Sequence, residues 1–129
     1  MNALGRHAHV TVIDDDESVR EALPDLLGEF GFLASAYASA EAFLASDRVE
    51  KTDCLVVDVA MPNMSGPELQ QELKRRGASV PIVFITAYSD DALHGRLIEQ
   101  GAVRCLLKPF SAEALFEAVT AAVSPTLGT

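Results

Sequence analysis

The sequence predicts an α/β protein of the doubly wound class, a parallel sheet covered by helices on both faces. Three observations carry that reading. Short apolar runs rich in β-branched residues alternate with segments whose apolar residues recur at helical spacing. The alternation repeats five times, which calls for crossover connections between parallel strands rather than hairpins. Four of the five apolar runs also stop on acids, a hydroxyl or a lysine. Sheets of this class place their functional crevice outside the carboxyl ends of the strands, where strand order reverses.

The first run, residues 9–13, is unbroken and gives way to Asp14-Asp15-Asp16-Glu17, a buried strand ending in an acidic turn. From Ser18, residues Val19, Leu23, Leu26, Leu27 and Phe30 mark one helix face, and Gly31 closes it. Pro24 lies inside that helix, lacks an N–H for the preceding turn and predicts a local kink. Residues 32–37 form a weaker, alanine-rich strand, followed by Ser39 as cap of a short helix carrying Ala42, Phe43 and Leu44. Residues 53–58 are the central strand, which delivers Asp58 to a turn forced by Pro62. After a loop over 59–64, Ser65-Gly66-Pro67-Glu68 starts a third helix. It presents Leu69 and Leu73 and ends in Lys74-Arg75-Arg76-Gly77, basic residues and glycine where a helix C-terminus favours them. Residues 81–86 are a fourth strand, apolar until Thr86. Ser89-Asp90-Asp91 cap a fourth helix with Leu93, Leu97 and Ile98, which stops at Gly101. Residues 103–107 make the fifth strand, ending in Lys108-Pro109-Phe110. Ser111 caps the last helix, striped by Leu115, Val119, Ala122 and Val123, before Ser124-Pro125-Thr126 breaks it.

A chain of 129 residues fits one domain. We read residues 1–124 as that domain and 125–129 as a tail or the start of a linker. The composition, 49% hydrophobic and 22% charged, is that of a soluble globular chain. A net charge of −9 argues against direct binding to nucleic acid or anionic lipid and favours a cation ligand or a basic partner. Cys54 and Cys105 sit far apart in apolar runs and read as buried free thiols, as a reducing cytoplasm would keep them. The apolar runs are too short to span a bilayer, and residues 1–9 lack a signal-peptide core, so a cytoplasmic protein is expected. His7, His9 and His94 show no ligand spacing and read as structural or exposed.

Asp14, Asp15, Asp58, Thr86 and Lys108 all fall at strand ends, and only the second strand, ending near Tyr37, offers no such group. Three carboxylates brought together repel and must hold protons or bind cations. Lys108 and a magnesium (or manganese) ion would neutralise them. Asp15 and Asp58 suit direct ligands, Asp14 a ligand acting through water, and the Ala60 backbone carbonyl completes the set. A carboxylate so placed can take a phosphoryl group, since phosphoryl transfer asks mainly for alignment and charge cancellation. Lys108 cancels charge, and the Thr86 hydroxyl and backbone N–H groups after Asp58 can donate to phosphoryl oxygens.

The same residues carry a resemblance. Val12-Ile13-Asp14-Asp15-Asp16, Val56-Val57-Asp58-Val59-Ala60-Met61-Pro62, Met64-Ser65-Gly66, Thr86-Ala87 and Lys108-Pro109-Phe110 occur in the order found in receiver domains of two-component response regulators. The segments 61–66 and 101–110 most resemble the FixJ-like branch, whose members usually carry a helix-turn-helix transcription output. The resemblance covers residues 9 to about 123. It implies the CheY-like (βα)5 fold, flavodoxin-like, with sheet order 2-1-3-4-5. It also implies that a sensor histidine kinase phosphorylates Asp58, that Thr86 then moves toward the phosphate and that Lys108 pairs with it. The surface of the fourth helix, fifth strand and fifth helix would shift, altering a partner or homodimer contact, and the Lys108-Pro109 peptide would be cis.

Two departures qualify that picture. Cys105 stands where the family often has an aromatic residue whose rotamer follows the threonine, so coupling must take another route. Ala60 and Tyr88 occupy positions that tune phosphate hydrolysis in the family. Alanine cannot orient water and tyrosine can shield the site, so slow autodephosphorylation is expected. Competing readings fit less well. A dehalogenase-type phosphatase needs a second acid where Ala60 stands, and a nucleotide- or flavin-binding domain needs a phosphate loop where the acidic turn stands. A degenerate receiver used only for docking is the remaining alternative.

Overall fold

The computed structural model describes residues 8–123. Strand β1 (His9–Ile13) leads through α1 (Glu17–Glu29), β2 (Leu33–Tyr37), α2 (Ala40–Leu44), β3 (Cys54–Asp58) and α3 (Gly66–Arg75) to β4 (Ile82–Thr86), α4 (Asp91–Glu99), β5 (Arg104–Leu107) and α5 (Ala112–Val123). All neighbouring strands pair in parallel, in the order β2-β1-β3-β4-β5, so chain direction across the sheet reverses between β1 and β3. The fold and strand order agree with the expectation from sequence.

Strand β1 begins where its composition suggests, and the other four begin one residue later. At β4 the cause is Pro81, which has no N–H for the ladder and contributes only its carbonyl, accepting from Leu55 at 2.9 Å. Ahead of β3, exposed Asp53 meets His9 twice, its N–H donating to the His9 carbonyl and its carboxylate accepting the His9 N–H, both at 2.8 Å. One element escaped the sequence reading, a 3-10 turn at Val49–Lys51 that carries the chain from α2 to β3. The turn serves a buried hydroxyl pair. Thr52 Oγ1 donates to the Arg48 carbonyl at 2.7 Å, leaving Thr11 of β1 to donate to Thr52 at 2.8 Å. Helix α1 is capped by Asp16 and runs unbroken through Pro24. It ends in a Schellman motif, Phe32 N to Leu27 O and Gly31 N to Gly28 O, with Gly31 at φ 96° where a Cβ would be strained. The proposed break at Ser124-Pro125-Thr126 and residue His7 lie outside the described residues.

Strand alternation divides the core in two. Ile13, Leu55, Val57 and Phe84 pack with Phe43, Leu69, Leu73 and Leu97, on the side of α2, α3 and α4. Val10, Val12, Cys54, Val56, Val83 and Ile85 pack with Leu23, Leu27, Leu115 and Val119, on the side of α1 and α5. Every residue of β3 and β4 is buried because helices cover both faces. Edge strands are less covered, and this corrects the expectation for Cys105. Cys54 on β3 is fully buried, whereas Cys105 on the edge strand β5 is only half-buried; both are free thiols. No helix among the described residues is long and apolar enough to cross a membrane.

Candidate functional site

The ladder between β1 and β2 continues one residue past Ile13, with the Asp14 N–H donating to the Tyr37 carbonyl. That bond fixes Asp14 at the sheet's upper edge, where it is fully buried. Its carboxylate is held by two donors, the Asp16 N–H at 2.9 Å and Lys108 Nζ at 3.0 Å. Asp15 follows exposed, and Asp16 caps α1 by accepting from Ser18 N. The acidic run therefore splits, with carboxylate oxygens of Asp14 and Asp15 near Asp58 and Asp16 serving as a cap.

Asp58 ends β3, with 8% of its surface exposed. Val59 N donates to Ile85 O and Gly66 N to Val59 O, both at 2.9 Å, so the strand end is clamped from β4 and from the start of α3. Close approach of α3 requires glycine here. A Cβ on Gly66 would stand 2.6 Å from the Asp58 carbonyl oxygen and 2.9 Å from the Phe84 ring. Between them the loop turns at Asn63, whose φ of 68° suits a short polar side chain. Ser65 and Glu68 then form a reciprocal capping box on α3.

Thr86 ends β4, fully buried, and its carbonyl accepts the Lys108 N–H at 2.7 Å. One backbone bond thus ties the hydroxyl residue to the lysine residue. The Lys108-Pro109 peptide is cis, as the resemblance implied. Lys108 Nζ lies 3.8 Å from the Asp58 carboxylate as well as 3.0 Å from Asp14. Carboxylate oxygens of Asp14, Asp15 and Asp58 all fall within 4.8 Å of one another.

Electrostatics follow from that crowding. Burial first, then Asp14, with a smaller push from Asp15, raise the Asp58 pKa to about 6 against the opposing pull of Lys108 and the Ala60 backbone N–H. One lysine does not satisfy three acids. The donor set, hard carboxylate oxygens with an open mouth and no thiol or imidazole, fits an octahedral divalent cation such as magnesium. Ala60 is exposed in the loop after Asp58, and its backbone N–H helps to stabilise the Asp58 carboxylate.

Asp14, Asp15, Asp58 and Lys108 come together at the strand ends, and Thr86 ends the neighbouring β4 with its hydroxyl on the Tyr88 N–H. Tyr88 is 65% exposed, and its backbone N–H donates to Thr86 Oγ1 at 3.1 Å. Sequence reasoning missed Arg20, whose Nη1 donates to the Asp14 carbonyl at 3.0 Å. A cation in the first turn of a helix is electrostatically out of place, and that misfit was the available signal. His9 is engaged by Ser35 Oγ at 2.9 Å and lies beside Arg48, a structural role. Arg75 and Arg76 are both paired with Glu72 at the end of α3.

A family model described as the response regulator receiver domain matches residues 10–120. Response regulator protein TodT of Pseudomonas putida is 37% identical over 118 residues, covering 92% of this chain and 52% of TodT. The chain spans about half the length of the curated relatives it matches. Among solved structures, response regulator StyR superposes with a TM-score of 0.86 at 41% identity, over 95% of this chain and 62% of that one. FixJ-N superposes with a TM-score of 0.82 at 34% identity, over 92% and 94%.

Proposed function

We propose, from the premise that the chain belongs to the response regulator receiver domain family, that Asp58 is its phosphoacceptor and that the domain is a phosphorylation-controlled switch. The observation that carries the proposal is the meeting of Asp14, Asp15 and Asp58 with Lys108 at the carboxyl edge of the sheet. A carboxylate oxygen of Asp58 attacks the phosphorus of a phosphohistidine on a sensor kinase. The new P–O bond forms as the P–N bond breaks, and the imidazole leaves with the electron pair. A magnesium or manganese ion held by Asp14, Asp15, Asp58 and the Ala60 carbonyl supplies charge neutralisation and alignment when bound. Lys108, already between Asp14 and Asp58, exchanges a carboxylate for a phosphoryl oxygen. The Ala60 N–H, now on the Asp58 carboxylate, is placed to donate to the phosphoryl group, and the Thr86 hydroxyl turns to donate to it as well.

Turning the hydroxyl takes it from the Tyr88 N–H and so moves the loop into α4. The face formed by α4, β5 and α5 is the output surface, where the large side chains Ile98 and Leu107 are exposed to meet a partner or a second copy. Relatives named as regulators of transcription support a transcriptional output through a further domain, with no direct DNA contact by this acidic one. Such a protein works in the cytoplasm, without a membrane contact. Intact acid, hydroxyl and lysine positions favour this over a receiver that only docks.

Incubation with magnesium and phosphoramidate, followed by intact mass, tests the reading. One phosphoryl group is expected on the chain and none on Asp58→Ala. Equal labelling of both, or of neither, would sink it.

A further inference from the structure

The loop between β4 and α4 is pinned at a single residue from both sides. Tyr88 N donates to Thr86 Oγ1 at 3.1 Å, and the Tyr88 carbonyl faces His94 Nε2 at 3.2 Å. A carbonyl only accepts, so Nε2 carries a proton and donates. His94 stands in the first turn of α4, where its own N–H donates to Asp90 O at 2.9 Å. The Tyr88 side chain is 65% exposed and offers no competing anchor. The two polar bonds to its backbone therefore join the switch hydroxyl to the fourth helix.

We infer that His94 is a positioning residue: it holds the Tyr88 carbonyl, keeps the loop in its unphosphorylated arrangement and passes the movement of Thr86 to α4. The inference rests on Thr86 being the switch hydroxyl of the proposed function. It supplies the route that Cys105 cannot, since this half-buried thiol is too small to swing as an aromatic ring does. When the Thr86 hydroxyl turns to a phosphoryl oxygen, Tyr88 N loses its acceptor and the peptide is free to follow. While His94 grips the carbonyl two bonds away, that movement is resisted. Loss of the His94 bond makes the phosphorylated arrangement easier to reach. The Gln side chain, with an amide N–H2 of similar reach, preserves the grip.

The test compares the unaltered chain with His94→Ala, His94→Gln and Asp58→Ala. Each is treated with phosphoramidate and magnesium, the rate of phosphoryl uptake is followed by intact mass, and melting temperature and hydrogen exchange of the 86–94 segment are measured without phosphodonor. His94→Ala is expected to take up phosphoryl roughly two- to tenfold faster, the span of one ordinary hydrogen bond, and to exchange faster at the loop. His94→Gln returns both to the unaltered values. Melting temperatures of the two variants stay close to that of the unaltered chain, because the bond is at the surface. Uptake and exchange in His94→Ala equal to the unaltered chain, or an identical change in His94→Gln, overturns the role of His94 alone. Absence of labelling on the unaltered chain, or equal labelling of Asp58→Ala, overturns the proposed function and this inference with it.

Discussion

Replacing Asp58 with asparagine removes one charge from three carboxylates gathered within 4.8 Å while keeping an acceptor for the Ala60 N–H and Lys108. Burial first, then the neighbouring Asp14, raises the Asp58 pKa from 3.8 to about 6. A carboxyl with a higher pKa folded than unfolded keeps its proton longer in the folded chain, so stability falls as pH rises through that interval. Above it the full cost of the ionised group is present; below the unfolded value there is none. A rise of this size corresponds to at most about 3 kcal/mol, and solvent at the open mouth of the site reduces the figure to about 1–2 kcal/mol. With divalent ions chelated at about pH 8, Asp58→Asn should therefore melt higher by about 3–8 °C. The gap should close as pH falls toward about 4. Magnesium should narrow or reverse it, since an ion at about a hundred times its Kd stabilises the folded form that binds it by about 2.7 kcal/mol. Thermal melts of both proteins across this pH range, with EDTA and with magnesium, make the comparison. Equal melting temperatures in EDTA at every pH, or a less stable variant at about pH 8, would refute the claim that ionised Asp58 opposes folding.

Three further outcomes are expected. Lys108→Met leaves the fully buried Asp14 without its ammonium partner and should lower folding stability by about 1–3 kcal/mol, read from the urea midpoint. Gly66→Ala drives a Cβ against the Asp58 carbonyl and the Phe84 ring, neither of which can swing away, and should cost about 1–3 kcal/mol in the same assay while slowing phosphoryl uptake. Burial pushes the Cys54 thiol up to about 12, and Asp53 adds to the rise. A thiol reagent should reach half-buried Cys105 in the folded chain and Cys54 only on unfolding, which mass spectrometry of labelled peptides distinguishes.

Much of the site was legible because strands of a doubly wound sheet end on one edge. Once residues 9–13, 53–58, 81–86 and 103–107 are read as parallel strands, Asp14, Asp58, Thr86 and Lys108 must share that edge whatever the details of packing. The helix caps were equally local, with Ser39, Ser65, Asp90 and Ser111 each accepting an N–H within three residues. Cys105 was read as buried because its neighbours are apolar; its half-exposure comes from being on an edge strand, which is a property of strand order.

By itself the sequence determined the alternation of elements, the strand-end chemistry and the family, since these depend on periodicity and on the order of residues along the chain. Only the tertiary structure decided what each group touches. Lys108 rests on Asp14 more closely than on Asp58, Arg20 reaches back to the Asp14 carbonyl, and Tyr88 is held by its backbone between Thr86 and His94. The reason is physical. Such contacts depend on the relative positions of separate strands and helices to within an ångström or so, and hydrogen bonds lose their strength steeply beyond that tolerance.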